Sequence, residues 1–303
     1  MIYVISFLLL LGAAIFGTHL IGSSLLDSAT ESIKNIITRL LDQPWKGLLL
    51  GLIATLIIQN STIIVILTVG LVAARLFTFT QSIGVILGIN IGSSITIDLI
   101  TINPGYFTIP IILLGAILCL RKNINVVKTG YSLMGFTLVI GSLCIMDVLA
   151  TDMKESIFYY DLFNKIDHSS FIAVLTGIIH TTLGQSNSTI NEIATLFATE
   201  NFYTGIPLII GANIGTGVMA MIASLVTMKE ARLTAYAYLW LNILGAIFIY
   251  PFLDYLVELK NILTPAQVNI MYNITLSLIT LPFVKYYSSF IDRIYHWRQK
   301  SPM

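Results

Sequence analysis

Residues 51–62 read GLIATLIIQNST, and residues 177–189 read GIIHTTLGQSNST. Both stretches place Gly, Thr and Gln at four-residue spacing and follow the Gln with a run of Asn, Ser and Thr. A second pair of matched stretches follows, GINIGS at 88–93 in one half and GANIGT at 211–216 in the other. Two matched motifs in the same order indicate an internal duplication of the chain.

The composition of the chain is that of a membrane protein. Of its 303 residues, 56% are hydrophobic and only 10% are charged, and the mean hydropathy is +0.88. A soluble domain of this length is far less apolar, so we expect an integral membrane protein in a lipid bilayer. The net charge of +1 gives no basic excess, which argues against nucleic acid as a partner. In such a chain, duplicated polar clusters that break helices are typical of a transporter whose site lies between two repeats at mid-membrane.

Seven apolar stretches are candidate membrane spans. They are residues 2–25, 82–102, 107–120, 126–150, 205–228, 233–255 and 268–284. Two further stretches, about 45–76 and about 170–202, carry the Gln/Asn/Ser/Thr run in their middle. A straight helix would place those polar side chains in lipid, so each stretch is predicted to be a re-entrant hairpin with its polar tip at mid-depth.

These segments form a repeated unit. A span, an amphipathic surface helix (27–42 or 151–167), a hairpin, a span interrupted at its Gly/Asn motif and a further span follow one another. Repeat 1 is residues 1–122, repeat 2 is 124–258, and 264–303 form an additional C-terminal transmembrane helix with a short cytoplasmic tail. Each unit crosses the bilayer an odd number of times. The predicted fold is therefore an all-α integral membrane protein with two inverted-topology repeats.

The distribution of Lys and Arg tests this layout, because these residues gather on the cytoplasmic side of membrane proteins. Of the sixteen in the chain, only Lys154, Lys165 and Lys260 fall on one side of the predicted membrane. The other side is therefore expected to be cytoplasmic, with the N-terminus outside the cell membrane and the C-terminus inside. Hairpin one then opens toward the cytoplasm and hairpin two toward the exterior, so that their tips can meet at the bilayer centre.

The two polar tips are the predicted anion-binding site. At each tip a new half-helix begins, and Asn and Ser are good N-cap residues for it. Helix starts carry free backbone N–H groups and a positive dipole end, so two converging starts bind an anion without Lys or Arg. The alternative is that these side chains cap buried helix ends or hold helices together. The candidate substrate-binding residues are Gln59, Asn60, Ser61, Thr62, Gln185, Ser186, Asn187, Ser188 and Thr189.

An anion in this position requires counter-cations. Desolvation of an unpaired anion costs on the order of tens of kcal/mol, whereas a helix end returns at best ~2 kcal/mol. Neutral oxygen ligands suit a monovalent ion such as sodium, which is the expected coupling ion, and no cofactor is expected. The candidate sodium ligands are Thr55, Gln59, Asn90, Ser93, Asp98, Thr181, Gln185, Asn213 and Thr216.

Two of these assignments have open alternatives. The glycines around Asn90 and Asn213 fit close small-xxx-small helix packing as well as a broken helix that exposes backbone carbonyls. Asp98 lies inside a predicted span, where an acid is by default functional, so it is a candidate cation ligand or proton site; the alternative is that it lies one turn further out, near the membrane interface.

The paired Gln-Ser-Ser-Ser-like motifs, each followed by a Gly-Ala-Asn-Ile-Gly-Thr-like motif, resemble those of the type II sodium/phosphate cotransporter family, including its bacterial branch. The resemblance covers nearly the whole chain and implies sodium-coupled symport of inorganic phosphate. It also implies that Gln59, Ser61, Thr62, Gln185, Ser186 and Ser188 match the family's substrate and sodium-binding loops. Asn60 and Asn187 stand where the family pattern has serines. Bacterial relatives often carry a PhoU-like domain after the last span; the chain stops at Met303 without one, so regulation through that domain is not expected.

Other functions have less support from the sequence. The chain contains no G-x-S-x-G, H-E-x-x-H or P-loop motif, so neither a hydrolase nor an ATP-driven pump is indicated, and no enzyme activity is expected. A non-transporting scaffold or receptor would need no polar tips inside the membrane. Within transport, the alternatives are another oxyanion and proton coupling through Asp98. A homodimer is compatible with the sequence.

Overall fold

The computed structural model describes residues 2–28, 39, 41–95, 106, 108–153, 169–184, 202–258 and 262–300, and within these ranges all regular structure is helical. The predicted all-α class is thereby confirmed. Turns of 3-10 helix at Tyr250–Phe252 and Leu281–Phe283 join successive helices near the C-terminus. The helices are α1 Ile2–Ser28, α2 Pro44–Ile58, α3 Ser61–Ala73, α4 Phe79–Ser94, α5 Thr108–Cys119, α6 Ile124–Met153, α7 Ser170–Gly184, α8 Phe202–Ala223, α9 Lys229–Ile249, α10 Leu253–Glu258, α11 Pro265–Thr280 and α12 Val284–Lys300.

Five helical segments in the described ranges are long and apolar enough to cross a membrane, so the chain is a membrane protein. They are Ile5–Ser24, Ile124–Met146, Thr204–Ala223, Lys229–Phe252 and Pro265–His296.

Two of the seven predicted spans do not appear among them. The stretch 107–120 is helix α5, which has 12 residues and a length of ~18 Å, too short for a hydrocarbon core of ~30 Å. In the stretch 82–102, α4 ends at Ser94, and residues 96–102 lie outside the described ranges.

The first residues of the two predicted surface helices belong to longer helices. α1 extends to Ser28 and α6 extends to Met153, so the first residues of 27–42 and 151–167 belong to these two helices. Residues 29–38 and 154–167 are outside the described ranges.

The predicted additional C-terminal segment contains the helices α11 and α12. Val284, Tyr287, Ile291 and Tyr295 are buried and recur at three- and four-residue spacing, which gives α12 one apolar face. This face packs on α9 and α4. The Tyr287 hydroxyl donates a hydrogen bond to the carbonyl oxygen of Ala237 at 2.6 Å.

Glycines set the closest helix contacts, and they do so at equivalent positions of the two halves. α2 packs along α4, and α7 packs along α8. A Cβ added to Gly51 would overlap the carbonyl oxygen of Val85, and one added to Gly177 would overlap that of Leu208. Val85 and Leu208 each lie three residues before their Gly-rich motif. The two halves therefore use the same contact in the same register.

The same helix pairs meet again at the Thr residues of the first motif. A Cβ on Gly92 would lie 2.7 Å from the Cβ of Thr55, and one on Gly215 would lie 2.9 Å from the Cβ of Thr181. These distances are shorter than van der Waals contact, so only glycine allows this approach. The duplicated motifs thus serve duplicated helix packing.

This packing corrects the prediction of interrupted helices. α4 continues without a break through Asn90, and α8 continues through Asn213. The physical reason is that the glycines in both motifs are needed for close approach of the neighbouring helix and not for a turn of the backbone. No helix in the described ranges is broken at a Gly/Asn motif.

α1 and α6 make a reciprocal contact. A Cβ on Gly17 would lie 2.8 Å from the carbonyl oxygen of Gly135, and one on Gly135 would lie 2.8 Å from that of Gly17. Gly17 also faces Val139, four residues after Gly135, while Gly135 faces Ile21, four residues after Gly17. An exchange of equal contacts is the pattern that a local two-fold axis produces.

The apolar core joins both halves of the chain. One cluster of buried side chains combines residues of α1, α3, α6 and α8. A second combines α2, α3 and α4 with α9 and α12. α3 contributes to both clusters, and the candidate site lies at its N-terminal end.

Candidate functional site

The break between α2 and α3 is the centre of the candidate site. α2 ends at Ile58, and Gln59 has a left-handed backbone with φ 56° and ψ 16°. The N–H of Gln59 donates to the carbonyl oxygen of Thr55 at 2.7 Å. Asn60 is extended, and its side-chain oxygen accepts a hydrogen bond from the N–H of Ile63 at 3.0 Å. The predicted helix break and the predicted cap at Asn60 are therefore confirmed.

Neither helix beside the break can cross a membrane alone. α2 has 15 residues and α3 has 13, which gives lengths of roughly 20 Å against a hydrocarbon core of ~30 Å. A polar break between two such short helices falls inside the apolar layer if the outer ends lie near its surface.

Ser61 and Thr62 open α3 within the protein interior. Their side chains are only 5% and 1% exposed. Their N–H groups precede the first intrahelical hydrogen bond, because the Ile63 N–H donates to the Asn60 side chain and the Ile64 N–H to the Asn60 carbonyl. The Thr62 hydroxyl has no hydrogen-bond partner among the described residues. The first turn of α3, where a helix has N–H groups without intrahelical partners, thus lies at a buried position together with the Thr62 hydroxyl.

Two residues that the sequence analysis did not select lie beside this turn. The hydroxyl of Tyr238, on α9, has the side chains of Ser61, Ser93 and Asn242 as its polar neighbours. Tyr238 and Asn242 are buried. Although these groups lie near one another, the Tyr238 hydroxyl and Asn242 Oδ1 make no hydrogen bond of normal geometry with any described residue. The structure therefore brings the predicted residues Ser61 and Ser93 together around a tyrosine from the other half.

The two Asn residues of the Gly-rich motifs differ in their hydrogen bonds. Asn90 is fully buried, and neither its Nδ2 nor its Oδ1 has a partner in the described ranges. Asn213 donates through Nδ2 to Oδ1 of Asn269 on α11 at 2.9 Å. The same oxygen accepts a second hydrogen bond from Asn273 at 2.8 Å. A predicted sodium ligand is therefore held in an amide network in one half only.

The predicted hydroxyl ligands mostly bond to their own helices. Thr55, Ser93 and Thr216 donate to the carbonyl oxygens of Gly51, Asn90 and Ala212 at 2.8, 2.9 and 3.3 Å. The Thr181 hydroxyl is buried without a partner among the described residues. A hydroxyl that donates in this way keeps its oxygen available as an acceptor or ligand. The described residues contain no group of three or more His, Cys, Asp or Glu side chains that could hold a metal ion.

The remaining predicted residues lie outside the described ranges. They are Gln185, Ser186, Asn187, Ser188, Thr189 and Asp98. The second tip and the role of Asp98 stay predictions.

The Na+/Pi-cotransporter family matches residues 14–148 and 158–267 of the chain. The chain belongs to this family. The resemblance that the paired motifs indicated is confirmed, and the family is one of membrane transporters.

Similar proteins are known in several bacteria. The "Uncharacterized protein YqeW" of Bacillus subtilis is 25% identical over 291 residues, which cover 93% of this chain and 95% of the relative. The "Putative inorganic phosphate export protein YjbB" of Salmonella typhimurium is 22% identical over 290 residues, or 92% of this chain and 53% of the relative. The protein of the same name in Escherichia coli K12 is 23% identical over 280 residues, or 89% and 52%. The chain thus spans about half the length of these two phosphate export proteins. No solved structure gives a significant match.

Proposed function

We propose that this cotransporter-family chain is a sodium-coupled transporter of inorganic phosphate that works by alternating access. The observation that carries the proposal is the helix break at Gln59 and Asn60, which sets Ser61 and Thr62 at the buried start of α3. An anion at this point meets backbone N–H groups, hydroxyl groups and the positive end of the α3 dipole. Family membership and the names of the relatives support phosphate as the anion.

The second half of the site is proposed to come from the second tip, in an inverted repeat. The matched contacts of Gly51 and Gly177 support equivalent positions for α2 and α7. The reciprocal contact of Gly17 and Gly135 supports a two-fold relation, which inverted-topology repeats have in the membrane plane. Two re-entrant tips related in this way would meet at mid-membrane and open to opposite sides. The second-tip residues are Gln185, Ser186, Asn187, Ser188 and Thr189.

Sodium is the proposed coupling ion. The buried polar residues of the described chain include no Lys or Arg, so a buried phosphate would find no permanently charged cation there. Sodium ions on Thr55, Ser93 and the motif Asn residues would supply the positive charge through neutral oxygen ligands. Each additional positive charge that moves inward also draws ~2.3 kcal/mol from every 100 mV of membrane potential.

The direction of net transport follows from the gradients. A symporter moves sodium and phosphate together toward the side on which the sum of their electrochemical potentials is lower. The same protein can therefore import or export phosphate. We propose that the N-terminus lies outside the cell membrane and the C-terminus in the cytoplasm. The reason is that Lys and Arg concentrate on the side of the predicted membrane that holds the C-terminus.

The test is transport of radiolabelled phosphate by the purified chain in proteoliposomes. An inward sodium gradient is expected to drive saturable uptake well above that with an equal potassium gradient, and an outward sodium gradient is expected to drive efflux. Gln59→Ala is expected to abolish both while the protein still folds. Saturable uptake that ignores sodium would overturn the coupling, and dependence on a pH gradient would favour the proton-coupled alternative through Asp98.

Substrate and scaffold alternatives are decided in the same vesicles. Transport of another oxyanion in place of phosphate would replace the substrate assignment. Absence of any anion transport by a correctly folded chain would favour a scaffold or receptor.

A further inference from the structure

We propose that Tyr238 and Asn242 recognise the proton that phosphate retains at neutral pH and thereby select phosphate over sulfate. This inference rests on the proposed phosphate transport and names the residues that would set its specificity. Both residues lie on α9, one helical turn apart. Neither belongs to the duplicated motifs.

Each of the two side chains has a polar atom that is buried and unused. Tyr238 is 0% exposed and Asn242 is 1% exposed. Among the described residues, neither the Tyr238 hydroxyl nor Asn242 Oδ1 makes a hydrogen bond of normal geometry, although the side chains of Asn242, Ser93 and Ser61 lie close enough to interact with the hydroxyl. Buried polar groups need a hydrogen-bond partner, and these two lie side by side next to Ser61 at the start of α3, so we assign their partner to the ligand of the proposed site.

The orientation of the Asn242 amide follows from its one hydrogen bond. Its Nδ2 donates to the carbonyl oxygen of Tyr238 at 2.9 Å. Only the NH2 end of an amide can bond to a carbonyl oxygen, so Oδ1 is the end that remains available. The pair therefore combines a hydroxyl, which can donate, with an amide oxygen, which can only accept.

The pair lies where the proposed anion would bind. Ser61, the first residue of α3, and Ser93 of the first Gly-rich motif are polar neighbours of the Tyr238 hydroxyl. An oxyanion at the start of α3 is thus within reach of the same group of side chains.

The two groups distinguish oxyanions by chemistry. At neutral pH phosphate carries at least one P–OH group beside its charged oxygens, whereas sulfate has only acceptor oxygens. Tyr238 can donate to a charged oxygen of phosphate while the P–OH donates to Asn242 Oδ1. Sulfate would place an acceptor oxygen opposite Asn242 Oδ1, which is also an acceptor, so Oδ1 would have no hydrogen-bond partner. Sites built to hydrogen-bond one substrate group can reject an analogue that lacks it by ~10⁴-fold or more.

The experiment compares competition by unlabelled sulfate and arsenate for radiolabelled phosphate transport in proteoliposomes. Arsenate also retains a proton at neutral pH, so it should compete in the wild type, whereas sulfate should not. Asn242→Leu removes the acceptor at similar volume and should reduce the preference for phosphate over sulfate by ~10-fold or more. Tyr238→Phe should raise the KM for phosphate by roughly tenfold.

Tyr287→Phe is the matched control, because its hydroxyl is also buried but donates to a backbone carbonyl of α9. It should change neither KM nor the preference. Thermal unfolding in detergent checks the fold of each variant, and Asn242→Ala replaces Asn242→Leu if the latter does not fold.

The outcomes separate the two proposals. A wild-type protein that transports phosphate, together with an Asn242 variant that keeps the full preference, would overturn this inference alone. A folded wild type that does not transport phosphate would overturn the proposed function and this inference with it.

Discussion

Gln59 has a strained backbone at the centre of the proposed site, and we expect Gln59→Gly to be more stable than Gln59→Ala although both variants lose transport. Its φ of 56° lies in the left-handed region, which costs a residue with a side chain ~1–2 kcal/mol. Glycine adopts this conformation without that cost. The hydrogen bond from the Gln59 N–H to Thr55 is made by the backbone, so Gln59→Gly keeps it.

The net gain is smaller than the strain itself. Glycine also adds conformational freedom to the unfolded chain, which offsets ~0.5–1 kcal/mol. The free energy of unfolding of Gln59→Gly should therefore exceed that of Gln59→Ala, which loses the same side-chain contacts, by about 0.5–1 kcal/mol. Transport should be lost, because the proposed anion and sodium ligand is the amide that the variant lacks. Strain of this kind persists at functional sites because function requires the side chain.

Arg75 is the matched control, because it is the other non-glycine residue with positive φ in the described chain, at 55°. It is exposed and follows the C-terminal end of α3, so Arg75→Gly should gain similar stability and keep phosphate transport. Unfolding in detergent and phosphate flux in proteoliposomes measure the two effects. A Gln59→Gly variant that is less stable than Gln59→Ala would refute the strain argument, and wild-type flux in Gln59→Gly would refute a binding role for the side chain.

Three further predictions concern packing, capping and the amide network. Gly177→Ala should lower the free energy of unfolding by about 1–3 kcal/mol through overpacking. Gly12→Ala is the control, because its Cβ would meet nothing within 4 Å, and it should raise the free energy of unfolding by about 0.5–1 kcal/mol. Equal shifts of the two variants in detergent unfolding would contradict the close contact at Gly177. Asn60→Ala should cost ~1 kcal/mol by removing the cap of α3, and Asn60→Ser should recover most of it in the same assay; identical stabilities would mean that the cap is unimportant. Asn269→Leu should cost roughly 1–3 kcal/mol, because it leaves the buried Asn213 amide without its acceptor. A double-mutant cycle of this pair measures the coupling, and strictly additive losses would argue against the hydrogen bond.

The helix break was predictable because its signals are local. A Gln-Asn-Ser-Thr run inside an apolar stretch cannot continue as a lipid-facing helix, and Asn is a strong N-cap residue. The structure shows both consequences, with Gln59 in the left-handed region and Asn60 as the cap. The duplication was readable for the same reason, since it needs only a comparison of the chain with itself.

Features that depend on distant neighbours were not predictable. A glycine that breaks a helix and a glycine that admits another helix look the same in sequence, so the continuity of α4 through Asn90 required the contact between α2 and α4. Tyr238 and Asn242 look like an ordinary aromatic residue and an ordinary polar residue in a span until Ser61 is placed beside them. α12 carries enough charge to resemble a tail, although the apolar spacing from Val284 to Tyr295 was visible in the sequence.

α11, the helix that follows both matched halves, gives the Asn residues of the two Gly-rich motifs different hydrogen bonds. α11 carries Asn269 and Ser277 on one buried face, and Asn269 bonds to the side chain of Asn213. Toward the other half, the Ser277 hydroxyl donates to the backbone oxygen of Leu87 at 3.1 Å, while Asn90 keeps both polar atoms unpaired among the described residues. An ion that binds Asn213 must therefore compete with an existing amide network, whereas one that binds Asn90 displaces no hydrogen bond described here. Equal motifs thus do not imply equal ligands, because the duplication repeats the packing and a single unduplicated helix decides which Asn is available.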